Sequence, residues 1–151
     1  MASTLRKYHL SLLRGLLLLA VASLWLCSSS CKKIIEEKEK NIIMDAMTNG
    51  RWYVELYTSN TLDLTSQFSG YEFQFYDNGN VDGIINNQAR PGTWTADISN
   101  YTITANFPAS SGDTLKLLNY TWKLTDSYLD YVEAKASLGV FDNILHLRKK
   151  P

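Results

Sequence analysis

YEFQFYDNGNVDGII, Tyr71 to Ile85, is the stretch on which the fold turns. Tyr71, Phe73 and Phe75 alternate with Glu72, Gln74 and Tyr76, the period of two that puts apolar side chains on one face of a half-buried strand. DNGN (Asp77 to Asn80) follows at once, and glycine and asparagine tolerate the positive φ that tight turns between twisted strands demand. Val81 opens the next strand, in which Gly83 predicts a bulge or a close approach of backbone. A hairpin is the reading.

The same period extends in both directions. Upstream, NGRWYVELYTS (Asn49 to Ser59) predicts a strand with Trp52, Val54 and Leu56 on one face and Tyr53, Glu55 and Tyr57 on the other. A polar loop, SNTLDLTSQFSG, separates it from Tyr71. Before it, Ile42, Ile43, Ala46 and Met47 share one face of a short helix that Gly50 stops. Downstream, NQARPG predicts a turn into a strand over Thr93 to Asp97 with Trp94 and Ala96 on one side. Tyr101, Ile103, Ala105 and Phe107 then alternate with Thr102, Thr104 and Asn106. PASSGDTLKLLN interrupts the period, and Leu115, Leu117 and Leu118 read as a helical turn that plugs one end. Tyr120, Trp122 and Leu124 resume it, and SYLDYVEA supplies a hairpin partner. A loop around AKASLGVFD precedes the final strand, NILHLRK (Asn143 to Lys149). About eight strands with short connections predict an all-β sandwich or barrel, and hairpin connectivity favours an eight-stranded antiparallel up-and-down barrel with a short N-terminal helix.

The chain of 151 residues suffices for one such domain. Its first thirty residues read as a signal peptide. Arg6, Lys7 and Arg14 form a basic leader, and Gly15 to Leu26 is an apolar segment of 12 residues, too short for a bilayer that needs about 20 helical residues. Cys31 follows Ser30, a small residue suited to cleavage, whereas Cys27 follows Leu26. The arrangement resembles the lipobox of bacterial lipoproteins, with Ser28 where an aliphatic residue is usual. That resemblance implies cleavage before Cys31, lipid on its sulfur and amino group, and residence on the outer membrane of a diderm bacterium. Periplasmic and cell-surface sides both fit. The alternative is an ordinary secretory signal with Cys31 a free thiol. Residues 31–40, including KKIIEEKEK, read as a charged tether, and residues 41–151 as the barrel domain.

Charge and chemistry narrow the function further. Basic and acidic residues number 15 each, and loss of the leader leaves 12 against 15, which gives no footprint for nucleic acid. NGNVDG (Asn78 to Gly83) superficially fits a calcium loop, but Ala89 stands where a bidentate glutamate is needed. His146 is the only histidine after the signal and reads as an outward strand residue, so no metal or other cofactor is expected. Asp130 and Glu133 fall on opposite faces of a strand, and Ser110, Ser111 and Thr114 lack a base. The expectation is a protein that is not an enzyme.

Gly50, Arg51 and Trp52, just after a helix and at the head of the first strand, resemble the lipocalin signature of a glycine and tryptophan two apart. GTW (Gly92 to Trp94) and SGYEFQFYDNGNV extend the resemblance, so that residues 41 to 149 look like the lipocalin-like domains of small bacterial outer-membrane lipoproteins. The resemblance implies that Trp52 packs near the closed end and that a basic residue of the last strand, Arg148, lies across it by cation–π attraction and stem packing.

Inside such a barrel two readings stay open. Trp52, Tyr71, Phe73, Phe75, Trp94, Tyr101, Phe107, Tyr120 and Trp122 all fall on inward faces, and rings that bury about 150–250 Å² each can fill a small barrel. The other reading is an aromatic ligand pocket at the end opposite Trp52, lined by Tyr71, Phe73, Trp94, Tyr101, Tyr120 and Trp122, for a small hydrophobic ligand. A filled barrel would act instead as a structural module, or on an envelope protein through exposed aromatics such as Tyr53, Tyr57 and Tyr76.

Overall fold

Alternating β-branched and aromatic residues produce nine strands in a computed structural model that describes residue 38, residues 40–139 and residues 141–151. The segment read as a signal peptide, Cys31 and most of the stretch read as a charged tether lie outside the described residues. Lys40–Pro151 form one compact unit. It begins with helix α1 (residues 40–48), which ends where Gly50 takes a φ of 98° that a side chain would resist.

The strands are β1 (Trp52–Ser59), β2 (Leu62–Asp63), β3 (Glu72–Phe75), β4 (Asn80–Ile85), β5 (Gln88–Asp97), β6 (Thr102–Asn106), β7 (Thr121–Tyr128), β8 (Tyr131–Leu138) and β9 (Phe141–Lys149). From β3 to β9 each strand pairs antiparallel with the next. Strand β9 returns to β1 from Trp52↔Lys149 to Ser59↔Asn143, and Trp52↔Phe73 joins β1 to β3. Eight strands thereby close into an up-and-down antiparallel barrel, which removes the free edges of a sheet. Two-residue β2 folds back on the end of β1 outside that ring.

Several boundaries differ from the sequence pattern. The expected turn NQARPG is only Asn86 and Asn87, with φ of 51° and 60°, and β5 begins at Gln88. Pro91 fits within β5 because pairing with β6 begins only at Thr93, so no β6 backbone meets the proline nitrogen. The expected loop AKASLGVFD is mostly strand, and β8 and β9 run almost to Gly139. Gly83 lies in a regular ladder opposite Phe73 rather than in a bulge. Its other expectation holds: a Cβ there would sit 2.8 Å from Leu115 Cδ2.

Strand direction defines two ends. At the first lie α1, Trp52, the β3–β4, β5–β6 and β7–β8 turns and the C-terminus. At the second lie the 3-10 turn Thr65–Phe68, the β4–β5 and β8–β9 turns, and the β6–β7 connection with its 3-10 turn Ala109–Ser111 and helix α2 (Asp113–Lys116). Leu115 and Leu118 are buried there, as the plug reading expected. Asn119 holds the connection shut: its Oδ1 accepts from Phe107 N at 2.6 Å and its Nδ2 donates to Phe107 O at 2.8 Å.

Candidate functional site

A register shift between Val54 and Leu56 decides which β1 aromatics face inward. Trp52 and Val54 point into the barrel, but after the bulge Tyr57 is buried and Leu56 only half-buried. Tyr57 is therefore not the exposed aromatic that strict alternation predicts. Its hydroxyl donates to Leu117 O at 2.8 Å, and burial, reinforced by nearby Tyr120, pushes its pKa up to about 12. Tyr53 and Tyr76 are exposed as expected.

The ligand-pocket residues separate. Tyr71, Phe73 and Trp122 are buried, Tyr120 is half-buried, and ring contacts at centroid distances of 5.2–6.5 Å join Tyr120, Trp122, Tyr57, Phe68, Tyr71, Phe73 and Phe107. Trp94 instead packs edge-on against Phe75 at 5.1 Å. Tyr101 contradicts the inward reading: it is 53% exposed, with a φ of 49° in the β5–β6 turn, and the Lys123 ammonium lies 5.8 Å from its ring. A turn residue in the left-handed region has left the strand period, so alternation counted from Ile103 does not reach it. Phe68 joins the core from a segment that reads as a polar loop; a lone phenylalanine there was its only signal.

The three tryptophans of the unit have committed their polar atoms. Trp52 Nε1 donates to Met47 O at 2.9 Å, Trp94 Nε1 to Tyr76 O at 3.0 Å and Trp122 Nε1 to Leu118 O at 3.0 Å. Each indole ties the barrel wall to a closing segment: the end of α1, the β3–β4 turn, the end of the plug. A buried indole needs such a partner, and none of the three N–H groups is left to recognise a ligand.

The residue over Trp52 is Lys149, not Arg148. Trp52 pairs with Lys149, so the two side chains share a face, and the ammonium lies 5.1 Å from the indole. Arg148 points outward. It makes two hydrogen bonds to Glu55, both 3.1 Å, and its guanidinium lies 4.5 Å from the Tyr131 ring. Gly50 sits beside the Lys149 stem, 3.5 Å from Cδ at the place of a Cβ. His146 lies beside them on the outer wall, its Nδ1 3.2 Å from Tyr131 Oη and its Nε2 3.6 Å from Glu133.

Two spaces remain. The interior holds an apolar cavity of about 40 Å³ among Phe73, Phe75, Ile103, Phe107, Trp122 and Leu145. At the first end a groove of about 250 Å³ lies between Ile42, Ile43, Ala46 and Met47 of α1 and the β7–β8 hairpin at Tyr128 and Leu129, with Trp52 among its walls. The four helix residues share one face, as their spacing predicts. The end opposite Trp52, where an opening was expected, is covered by α2 and Phe68. Asn78 accepts from Asn80 N at 3.0 Å and Asp82 from Tyr76 Oη at 3.0 Å, so the calcium-like NGNVDG is engaged in its own hairpin. Among the described residues no three His, Cys, Asp or Glu side chains are grouped to hold a metal.

Comparison with known proteins bears on the fold alone. No family model matches the chain, and no curated protein does. A crystal structure of a DUF4847 family protein from Bacteroides vulgatus is similar at 15% identity and a TM-score of 0.51, covering 72% of this chain and 99% of that one. The chain is thus a closed, eight-stranded antiparallel barrel, an architecture that it shares with that protein.

Proposed function

We propose that this protein is a lipid-anchored, non-enzymatic component of the bacterial envelope, held to the outer membrane through Cys31, whose barrel is a rigid, filled module rather than a lumenal carrier. The small interior cavity carries the reading. At about 40 Å³ it has room for a few waters at most, whereas ligand sites measure about 300–1,000 Å³. The committed indoles support it too. Neither space is lined by a carboxylate, histidine or cysteine, which favours binding over catalysis.

A second reading, a small hydrophobic ligand, is favoured by the groove at α1 rather than by the lumen. Native mass spectrometry of lipoprotein purified from its own membrane separates the two. The filled-module reading expects the mass of polypeptide plus acyl chains alone. A stoichiometric additional molecule overturns it, and its loss in Ala46→Phe, which fills the groove, assigns that molecule to the α1 site. Labelled palmitate tests the anchor: incorporation is expected in the wild type and not in Cys31→Ser, and label retained in the variant contradicts the assignment.

A further inference from the structure

Three large apolar side chains surround the α1 groove and face water: Ile42 is 59% exposed, Tyr128 67% and Leu129 69%. They come from two elements, the outer turn of α1 and the β7–β8 turn. A contiguous apolar rim at one end of a barrel marks a docking surface. The chain itself says what lies near it. The nine residue steps from Cys31 to Lys40 span at most about 30 Å when fully extended, and Lys40 lies on the helix that carries Ile42. A lipid on Cys31 therefore keeps this end of the barrel close to the bilayer.

We propose that the Ile42–Tyr128–Leu129 rim is a lipid-facing surface that seats the barrel on its membrane with the α1 end down. The inference rests on the lipid-anchor reading. An exposed tyrosine between aliphatic residues suits the headgroup boundary, where an amphipathic ring keeps its hydroxyl wet. Apolar faces of this kind settle about 5–10 Å into the interface. The neighbouring charges indicate which lipids matter. Asp126 and Asp130 are exposed on the same hairpin and Asp45 on α1, beside exposed Lys40, so the charges around the rim are mixed in sign and seating depends on apolar contact rather than on anionic headgroups. A short tether and a weakly inserting rim reinforce each other, because the anchor makes the second contact intramolecular.

Site-directed spin labelling of the lipidated protein tests this. Cys27 leaves with the signal and Cys31 is blocked by lipid, so a single introduced cysteine is the only thiol. Labels go on Ile42→Cys, Tyr128→Cys, Leu129→Cys and, as the reference, Leu62→Cys, an equally exposed residue at the other end. In phosphatidylcholine vesicles the depth parameter, from collision with oxygen against a water-soluble nickel chelate, is expected to change sign between position 62 and positions 42, 128 and 129. Adding phosphatidylglycerol should leave it unchanged. In an Ile42→Asp/Leu129→Asp background the label at 128 should return to the aqueous value while the melting temperature holds, since both replaced side chains are exposed. Aqueous values at all sites overturn the proposal, as does spin–spin broadening at 128 or 129, which would mean that a second copy covers the rim. Intact mass separates the two failures: a lipidated mass with aqueous labels removes the seating alone, and an unlipidated mass removes the anchor reading and the seating with it.

Discussion

At the scale of the residue, one position separates Arg148 from Lys149, and a strand converts one position into opposite faces. Because Lys149 covers Trp52 with its stem and charge, Lys149→Ala is expected to lower stability by about 0.5–2 kcal/mol and shift the tryptophan emission. Arg148→Ala, which removes an exposed pair with Glu55 and the guanidinium over the Tyr131 ring on the outer wall, should leave the tryptophan emission unchanged. Chemical denaturation followed by fluorescence measures both. Tyr57 gives a pH dependence. Its folded pKa of about 12 exceeds the ordinary 10.0, so the native state holds a proton that the unfolded chain releases first. Its contribution is complete below pH 10 and is lost as pH rises toward 12. Alkaline unfolding should be shallower in Tyr57→Phe, which also leaves the Leu117 carbonyl without its partner at a cost of about 1–3 kcal/mol. Equal slopes in the two proteins would refute the assignment.

At the scale of the element, the legible parts were those where the period of two runs without interruption. The hairpin from Tyr71 to Ile85, the leucine plug and the apolar face of α1 follow from residue spacing alone. Tyr57 and Tyr101 did not, because a bulge and a left-handed turn residue each shift the count by one, and neither leaves a glycine or proline as a marker. The role of Asn119 was illegible for a different reason: its two hydrogen bonds to Phe107 join chain segments on either side of the plug, a contact that only the tertiary fold creates. The plug and its socket are one unit, since Gly83 leaves the space that Leu115 fills. Leu115→Ala should therefore cost about 2–5 kcal/mol and open space at the second end. A gain of saturable binding of an apolar fluorescent probe, absent in the wild type, is the expected readout. Gly83→Ala should also destabilise, by about 1–3 kcal/mol through overpacking, but without creating that binding.

At the scale of the whole molecule, barrel closure is uneven. Strand β1 pairs with β9 at seven positions from Trp52 to Ser59, whereas it meets β3 at the single pair Trp52↔Phe73. Side chains reinforce that seam where ladder bonds are few: Glu72, on β3, receives Arg51 Nη1 at 2.7 Å and Lys150 Nζ, so residues beside both ends of the barrel sequence converge on one carboxylate. Those two hydrogen bonds hold the Glu72 carboxyl below its ordinary value of 4.5. A depressed folded pKa means stability that is present above 4.5 and lost as pH falls through the lower, folded value. The seam is therefore expected to open first, and acid to open it further. Amide hydrogen exchange at neutral pH is expected to show less protection in β1 and β3 along the seam than in β8 and β9. Glu72→Gln should lower the seam's protection further, leave β8 and β9 unchanged, and reduce the loss of stability on acidification. If seam and β8–β9 amides instead exchanged in step in both proteins, opening would be global, and the ion cluster would have no local role in closing the barrel.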